Sequence, residues 1–121
     1  MKVLLVVPRY NFTKKKDYRY IFTIGLGYIA AVIKKSGHAL DGLNLNHFDG
    51  APEDLIAAAL SKKKYDVVCL AHEGFAHEVI KKIISHCKSH KTSPNVIIGG
   101  TLVSSESKLM FESLNPDFAV V

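Results

Sequence analysis

The first segment that could do chemistry is a long stretch, Pro8–Phe22, rich in basic and aromatic residues. Arg9 and Tyr10 lie at its start, next to Pro8, and Lys14–Lys16 lie in its middle. Basic and aromatic side chains together can hold a planar ligand that carries phosphate or another anionic group. We interpret the lysine run itself as a solvated surface feature.

A glycine motif follows this stretch, with Thr23 as the expected helix cap. Gly25-Leu26-Gly27-Tyr28-Ile29-Ala30 matches G-x-G-x-x-A, the dinucleotide fingerprint. That fingerprint directly follows its strand, whereas a long loop intervenes here, so the match indicates a dinucleotide only weakly. Glycines at a helix start permit close approach by a ligand or by the sheet, and both interpretations remain open.

Two further segments directly follow apolar runs. Ala71-His72-Glu73-Gly74 places a His and a Glu where a ligand could contact them, although Glu73 could simply favour the next helix and His72 could be solvated. Gly99-Gly100-Thr101 removes side chains at a similar position. A tight turn usually needs one glycine, so the pair favours close approach of a ligand.

Other chemistry-bearing residues form no recognisable site. The spacing of Cys69 and Cys87 matches no zinc or iron–sulfur motif, and we expect both to be core thiols. The histidines His77, His86 and His90 lack a partner acid or cysteine at metal-ligand spacing. There is no P-loop, nucleophile elbow or defensible carboxylate pair. We therefore predict no catalytic residue and no protein ligand to a metal.

Composition narrows the class of protein. The chain has 121 residues, of which 48% are hydrophobic, and this suits one domain with a real core. The net charge of +5 comes mostly from four lysine clusters, three of which lie at expected helix ends, so we expect no nucleic-acid partner. No apolar run is long enough to span a membrane. Two cysteines make no disulfide framework, which favours the cytoplasm.

Strand-like and helix-like segments alternate along the chain. Apolar runs predict strands, listed here: Val3–Val7, Ala39–Leu45, Asp66–Ala71, Asn95–Ile98 and Asp117–Val121. Helical spacing predicts four helices between these strands. The first carries Ile24, Tyr28, Ile29, Val32 and Ile33, the second begins at Pro52, and the third carries Phe75 to Cys87. The fourth comprises Leu102–Leu114, and we expect Leu109 and Met110 to point inward. This order predicts an α/β fold of the flavodoxin-like type. We expect an open parallel five-stranded sheet in the order 2-1-3-4-5, with helices on both faces.

That topology brings the three ligand-type segments to one edge, because ligands of open parallel sheets bind at the carboxyl ends of the strands. The chain also stops inside the last apolar run, at Val121. We therefore interpret residues 1–121 as one domain and as the N-terminal piece of a longer protein.

The combination of motifs resembles the N-terminal cobalamin-binding domain of radical S-adenosylmethionine enzymes. The resemblance rests on Lys2–Pro8, on Ile24–His38, on Asp66–Leu70, on Val96–Gly100 and on Pro116–Val121, and it covers nearly the whole chain. The family includes anaerobic magnesium-protoporphyrin ester cyclase and several methyltransferases. The glycine motif and the paired glycines are its more specific features.

The resemblance implies that this domain holds cobalamin at the carboxyl-end face, with the nucleotide tail inserted into the domain. The implied cofactor-binding residues are Pro8, Arg9, Tyr10, Thr23, Gly25, Leu26, Gly27, Ala71, His72, Glu73, Gly74, Gly99, Gly100 and Thr101. Gly99, Gly100 and Thr101 would back the tail. No His lies between Pro8 and Thr23, so the lower axial histidine of the methionine-synthase type is missing.

The resemblance also implies where catalysis lies. The cysteines of a C-x-x-x-C-x-x-C cluster motif are absent from this chain. The iron–sulfur cluster, S-adenosylmethionine and the methyl-transfer or cyclase-type chemistry would belong to a catalytic domain downstream of Val121. Two alternatives remain: a free-standing flavodoxin-like module that binds a nucleotide or dinucleotide, and a partner-binding domain without a small ligand.

Overall fold

The computed structural model describes residues 1–9, 15–16, 23–71 and 76–121. Its five strands are all parallel and have the order β2-β1-β3-β4-β5, which confirms the predicted topology. The strands are β1 (Lys2–Val7), β2 (Ala39–Asn44), β3 (Val67–Ala71), β4 (Asn95–Gly99) and β5 (Phe118–Ala119). The α-helices are α1 (Ile24–Lys35), α2 (Pro52–Lys62), α3 (His77–Ser89), α4 (Thr101–Ser105) and α5 (Ser107–Leu114).

Local sequence signals explain where two of the helices begin or end. Gly37 follows α1 with φ +80°, and the N–H of His38 donates to the Ile33 carbonyl, which is the Schellman arrangement that a glycine favours. Pro52 opens α2, with two acidic residues in its first turn. Within the described ranges, no helix has both the length and the apolar character needed to cross a bilayer.

The main core lies on one face of the sheet. Alternate strand residues point to this face, where Leu4, Val68 and Val96 form one row across β1, β3 and β4. A second row follows toward the carboxyl ends; it comprises Val6, Leu70 and Ile98. The helical side chains that complete this core include Ile56, Leu60, Ile80, Ile83, Ile84, Cys87, Val103, Met110 and Leu114. The intervening strand residues face the opposite side, which carries α1.

Three details of the predicted elements were wrong. The single helix expected over Leu102–Leu114 is two helices, interrupted at Glu106, whose backbone (φ −129°, ψ 47°) lies outside the helical region. Ser105 Oγ donates to the Leu102 carbonyl at 3.2 Å beside the break. Leu109 is 57% exposed rather than inward, whereas Met110 is buried as predicted. The last strand is also shorter than expected and comprises Phe118–Ala119.

Candidate functional site

A cavity of about 480 Å³ lies on the α1 side of the sheet, toward the carboxyl ends of β3 and β4. Leu5, Cys69 and Ile97 are register neighbours on β1, β3 and β4, and they form its floor. One turn of α1 forms a wall through Leu26 and Ile29. The volume lies within the roughly 300–1,000 Å³ of small-molecule sites. The position is the one expected for a ligand of an open parallel sheet.

The floor loses its side chains at the carboxyl end. Ala71 and Gly99 are register partners there, and both line the cavity. A Cβ atom added at Gly99 would lie 3.8 Å from Val120 Cβ, which is ordinary van der Waals contact. The backbone at Gly99 therefore accepts a side chain without a clash. The space that this side chain would occupy is instead part of the cavity.

Gly100 has a different reason to be glycine. Its φ of 116° and ψ of 177° lie in a region that residues with a Cβ enter only under strain. The turn from β4 into α4 thus requires glycine at this position whatever binds nearby. The two glycines, which the sequence presented as one feature, therefore divide into a backbone requirement at Gly100 and an open floor at Gly99.

Gly25, the first glycine of α1, is not needed for close packing of this helix on the sheet. A Cβ atom added at Gly25 would meet no described atom within 4 Å, so close helix–sheet contact does not require glycine there. Thr23 occupies the N-cap position with an extended backbone, and its carbonyl accepts from the Leu26 N–H at 3.0 Å. Leu26 is buried against the sheet and reaches the cavity, whereas Gly25 is exposed.

Arg9 is directed toward the segment that follows β2. Its Nε and Nη2 donate to the Leu45 carbonyl at 3.2 and 2.8 Å, and Nη1 donates to the Gly50 carbonyl at 2.7 Å. Nη2 also donates to the Phe48 carbonyl. Only 1% of Arg9 is exposed. The guanidinium therefore fixes the course of residues 45–50.

Asn46 ties the same segment to the end of β1. Its side-chain amide donates to the Pro8 carbonyl at 3.0 Å and is almost completely buried. Sequence reasoning did not single out this residue. Pro8 and Arg9 thus lie at the carboxyl edge as predicted, and their described contacts support the β2–α2 connection.

The structure brings together four of the predicted site residues around the cavity: Leu26, Ala71, Gly99 and Gly100. Six others are described but do not line it: Pro8, Arg9, Thr23, Gly25, Gly27 and Thr101. Tyr10, His72, Glu73 and Gly74 lie outside the described residues.

Sequence reasoning missed most of the cavity wall. The missed lining residues are Leu5, Ile29, Cys69, Leu70, Ile97, Ile98, Ser104, Val120 and Val121. Cys87 is a core thiol as predicted, but Cys69 is only partly buried and lies on the cavity floor. Three of these residues could have been found from the alternation of side chains along a strand. Leu5, Cys69 and Ile97 point away from the main core and therefore face the α1 side.

The chemistry that this cavity offers is apolar binding. Among its described lining residues none is charged, and Ser104 contributes a hydroxyl near the rim. Burial raises the pKa of the Cys69 thiol above its ordinary value, so the thiol stays neutral at pH 7. Within the described ranges, no group of three His, Cys, Asp or Glu residues could hold a metal ion. These walls suit a flat, largely apolar group.

No protein-family model matches the chain, and a search of the curated proteins finds no match. The fold, the cavity and the sequence motifs are therefore the features that bear on function.

Proposed function

We propose that this domain binds cobalamin at the carboxyl edge of its sheet, with the nucleotide tail in the cavity. The observation that carries the proposal is the floor at Ala71 and Gly99, where two strands end side by side with almost no side-chain volume. A large ligand that enters at this edge can lie against the backbone of β4.

The lining supports the same assignment. The benzimidazole ring of the tail is flat and mostly apolar, and it matches a floor of Leu5, Cys69 and Ile97 with an aliphatic wall at Ile29. The corrin ring is too large for a cavity of about 480 Å³ and would lie outside it, over the carboxyl edge. In this arrangement the domain anchors the cofactor through its tail and leaves the cobalt face accessible.

The domain's own residues would bind and orient the cofactor. Bound cobalamin supplies a cobalt centre that can carry a methyl group, and that chemistry belongs to the cofactor. We propose that a downstream radical S-adenosylmethionine domain, with its iron–sulfur cluster, carries out methyl transfer or cyclase-type chemistry on the cobalamin presented here. A C-x-x-x-C-x-x-C motif encoded after Val121 would support this part of the proposal.

The test is a titration of the purified chain with hydroxocobalamin, NAD and FMN in parallel. We expect a saturable change in the visible absorbance of hydroxocobalamin, accompanied by heat of binding, and no saturable response to NAD or FMN. Saturable NAD or FMN binding without a cobalamin response would overturn the proposal in favour of a nucleotide-binding module. The absence of all three responses would favour a partner-binding domain.

A further inference from the structure

The net charge of the chain is concentrated at one edge of the sheet. The strands are all parallel, so the residues that precede them meet at the edge opposite the cavity. We call this edge the amino edge; it comprises residues 1–2, 34–41, 62–66, 86–95 and 115–117, all of which are described. These residues include eight lysines and three aspartates, whereas the rest of the chain has equal numbers of basic and acidic residues. The amino edge therefore accounts for the whole net charge of +5.

Most of the lysines at this edge are exposed. Lys63 contacts the Asp41 carboxylate at 2.9 Å, and Lys88 contacts the Asp117 carboxylate at 3.3 Å. Within the described part of the chain, five further lysines of the amino edge form no ion pair, and all five are exposed: Lys34, Lys35, Lys62, Lys64 and Lys91. Because no described carboxylate neutralises these ammonium groups, they can bind an external anion.

The positive charge lies on both faces of the sheet. The lysines that end α1 lie on one face, and those that follow α2 and α3 lie on the other face, beside the main core. Lys2 begins β1 between the two groups. The helices α2 and α3 pack side by side, with about 8–10 Å between their axes. The lysines are therefore spread over a broad edge and do not follow one narrow groove.

The side chains of the amino edge are not those that recognise nucleic acids. This edge contains no arginine, the residue that binds a phosphate or a guanine through two parallel hydrogen bonds. Apart from histidines, its one aromatic residue is Tyr65. Tyr65 is 5% exposed and donates its hydroxyl to Asp41, so it does not stack on a base. A nucleic acid would therefore meet only point charges here.

The amino edge also lacks the composition of a protein interface. Such interfaces have an apolar centre, and they are depleted of lysine. Within the amino edge, Met1 is the one large hydrophobic side chain that is exposed. A single side chain does not form an apolar centre, so the attraction that this edge offers is electrostatic.

We propose that the amino edge binds the surface of an anionic phospholipid bilayer. Each lysine near such a surface strengthens binding by about fivefold. A bilayer presents a plane of phosphate groups, and lysines on both faces of the sheet can contact a plane at the same time. This attraction requires neither an arginine nor an aromatic side chain.

The bilayer and the cavity lie at opposite edges of the sheet. β1 has six residues, so the two edges are about 20 Å apart. A chain bound through its amino edge therefore holds the cavity away from the bilayer. The inference does not rest on the proposed function, because bilayer binding is tested without cobalamin and either proposal can fail alone.

The test is cosedimentation of the ligand-free chain with vesicles of phosphatidylcholine, with and without about one-third phosphatidylglycerol. We expect binding to the anionic vesicles alone, and we expect it to weaken as salt is raised, because salt screens exposed charges. Lys62→Gln combined with Lys64→Gln should lower the partition coefficient by about 25-fold. Both residues are exposed and form no described ion pair, so thermal unfolding should be nearly unchanged.

Lys81→Gln combined with Lys82→Gln is the charge-matched control. Both lysines are exposed, and Lys82 lies about 10 Å before the last residue of α3, away from the amino edge. This variant should bind anionic vesicles nearly as tightly as the unaltered chain does. Equal losses in the two double variants would overturn the proposal, since they would show that net charge alone governs binding.

Acetylation of lysines, measured by peptide mass spectrometry, tests the orientation, because neither lipid carries a primary amine. Anionic vesicles should slow the modification of Lys62 and Lys64 but not that of Lys108, which is exposed at the start of α5. The absence of binding to anionic vesicles, or protection of Lys108 in place of Lys62 and Lys64, would overturn the proposal. Tighter binding to duplex DNA or RNA than to these vesicles, lost in the Lys62 and Lys64 variant, would assign the edge to nucleic acid instead.

Discussion

Ala71 and Gly99 are direct neighbours at the carboxyl ends of β3 and β4, and they are the smallest pair in the register between these strands. Two residues earlier on each strand, the same face carries the larger side chains of Cys69 and Ile97. The cavity therefore deepens toward the edge of the sheet. The place where a ligand can come closest to the backbone is therefore set by two residues that are far apart in sequence.

Replacing Gly99 with Val should fill the floor without unfolding the domain. The added side chain lies on the cavity face, and its Cβ contacts Val120 at an ordinary distance. We expect cobalamin affinity to fall at least about tenfold, which corresponds to roughly 1.4 kcal/mol of binding free energy. Calorimetry and thermal unfolding on one preparation measure both quantities.

The control for this variant is Gly42→Val on β2, where an added Cβ would meet no described atom within 4 Å. It adds the same side chain on β2, three strands away from β4. Gly42 neighbours Leu5 in the register but does not line the cavity, so affinity should be unchanged. Equal loss of affinity in both variants, or unchanged affinity in Gly99→Val, would remove Gly99 from the site.

Gly100→Ala should show the opposite pattern. Its positive φ makes any Cβ strained, so we expect the free energy of unfolding to fall by about 1–3 kcal/mol. Because the strain is in the backbone and a methyl group is small, the folded fraction should keep its cobalamin affinity. Urea unfolding combined with titration tests this, and undiminished stability would contradict the backbone explanation.

Ligand binding should protect Cys69 from alkylation. This thiol lies on the cavity floor, whereas Cys87 is fully buried and serves as the internal control. Cyanocobalamin, whose cobalt already carries cyanide, should slow modification of Cys69 by several-fold, as read by peptide mass spectrometry. An unchanged rate at saturating cyanocobalamin would place the ligand elsewhere.

The pH dependence of this reaction has a definite sign. Burial raises the pKa of the Cys69 thiol above its ordinary value, and the thiolate is the reactive form. The alkylation rate should therefore continue to rise with pH beyond the range in which a free cysteine has levelled off.

Arg9→Lys should destabilise the domain more than it affects binding. A lysine ammonium cannot reproduce the planar fork that donates to the carbonyls of Leu45, Phe48 and Gly50. Carbonyls left without a partner should lower the free energy of unfolding by about 2–4 kcal/mol. Stability that is nearly unchanged, together with lost cobalamin affinity, would show instead that Arg9 holds the ligand.

The Tyr65 hydroxyl donates to the Asp41 carboxylate at 2.8 Å, beside Lys63 at 2.9 Å. Burial, followed by the hydrogen bond to Asp41, raises the pKa of Tyr65 from 10.0 to about 12. The folded state thus holds this proton more tightly than the unfolded state does. The resulting stability is fully present below pH 10 and is lost as the pH rises toward about 12.

Tyr65→Phe should therefore lower the free energy of unfolding by about 1 kcal/mol at neutral pH. It should also reduce the alkaline loss of stability that urea unfolding measures above pH 10. Tyr28→Phe is the control, because Tyr28 is 73% exposed and its loss should change neither quantity. An alkaline loss in Tyr65→Phe as large as in the unaltered chain would contradict this assignment.

Much of the fold follows from local patterns. Continuous aliphatic runs such as Val3–Val7 predicted strands buried on both faces, and alternation with helices predicted the parallel order, which the structure confirms. The helix cap at Gly37 and the start of α2 at Pro52 are also predictable from the sequence, because residues within one or two turns determine where a helix begins or ends. Glu106 shows the limit, because helical spacing alone did not reveal the interruption between α4 and α5.

The site divides in the same way. The sequence by itself determined that Ala71, Gly99 and Gly100 end their strands at one edge of a parallel sheet, because strand direction follows from the order of the elements. Only the tertiary structure decided that Leu5, Cys69 and Ile97 form one floor, that Arg9 turns toward residues 45–50, and that Ile24, Tyr28 and Val32 face outward. These facts depend on register and on which half of the sheet α1 covers. Both result from packing between segments distant in sequence, and no local pattern records them.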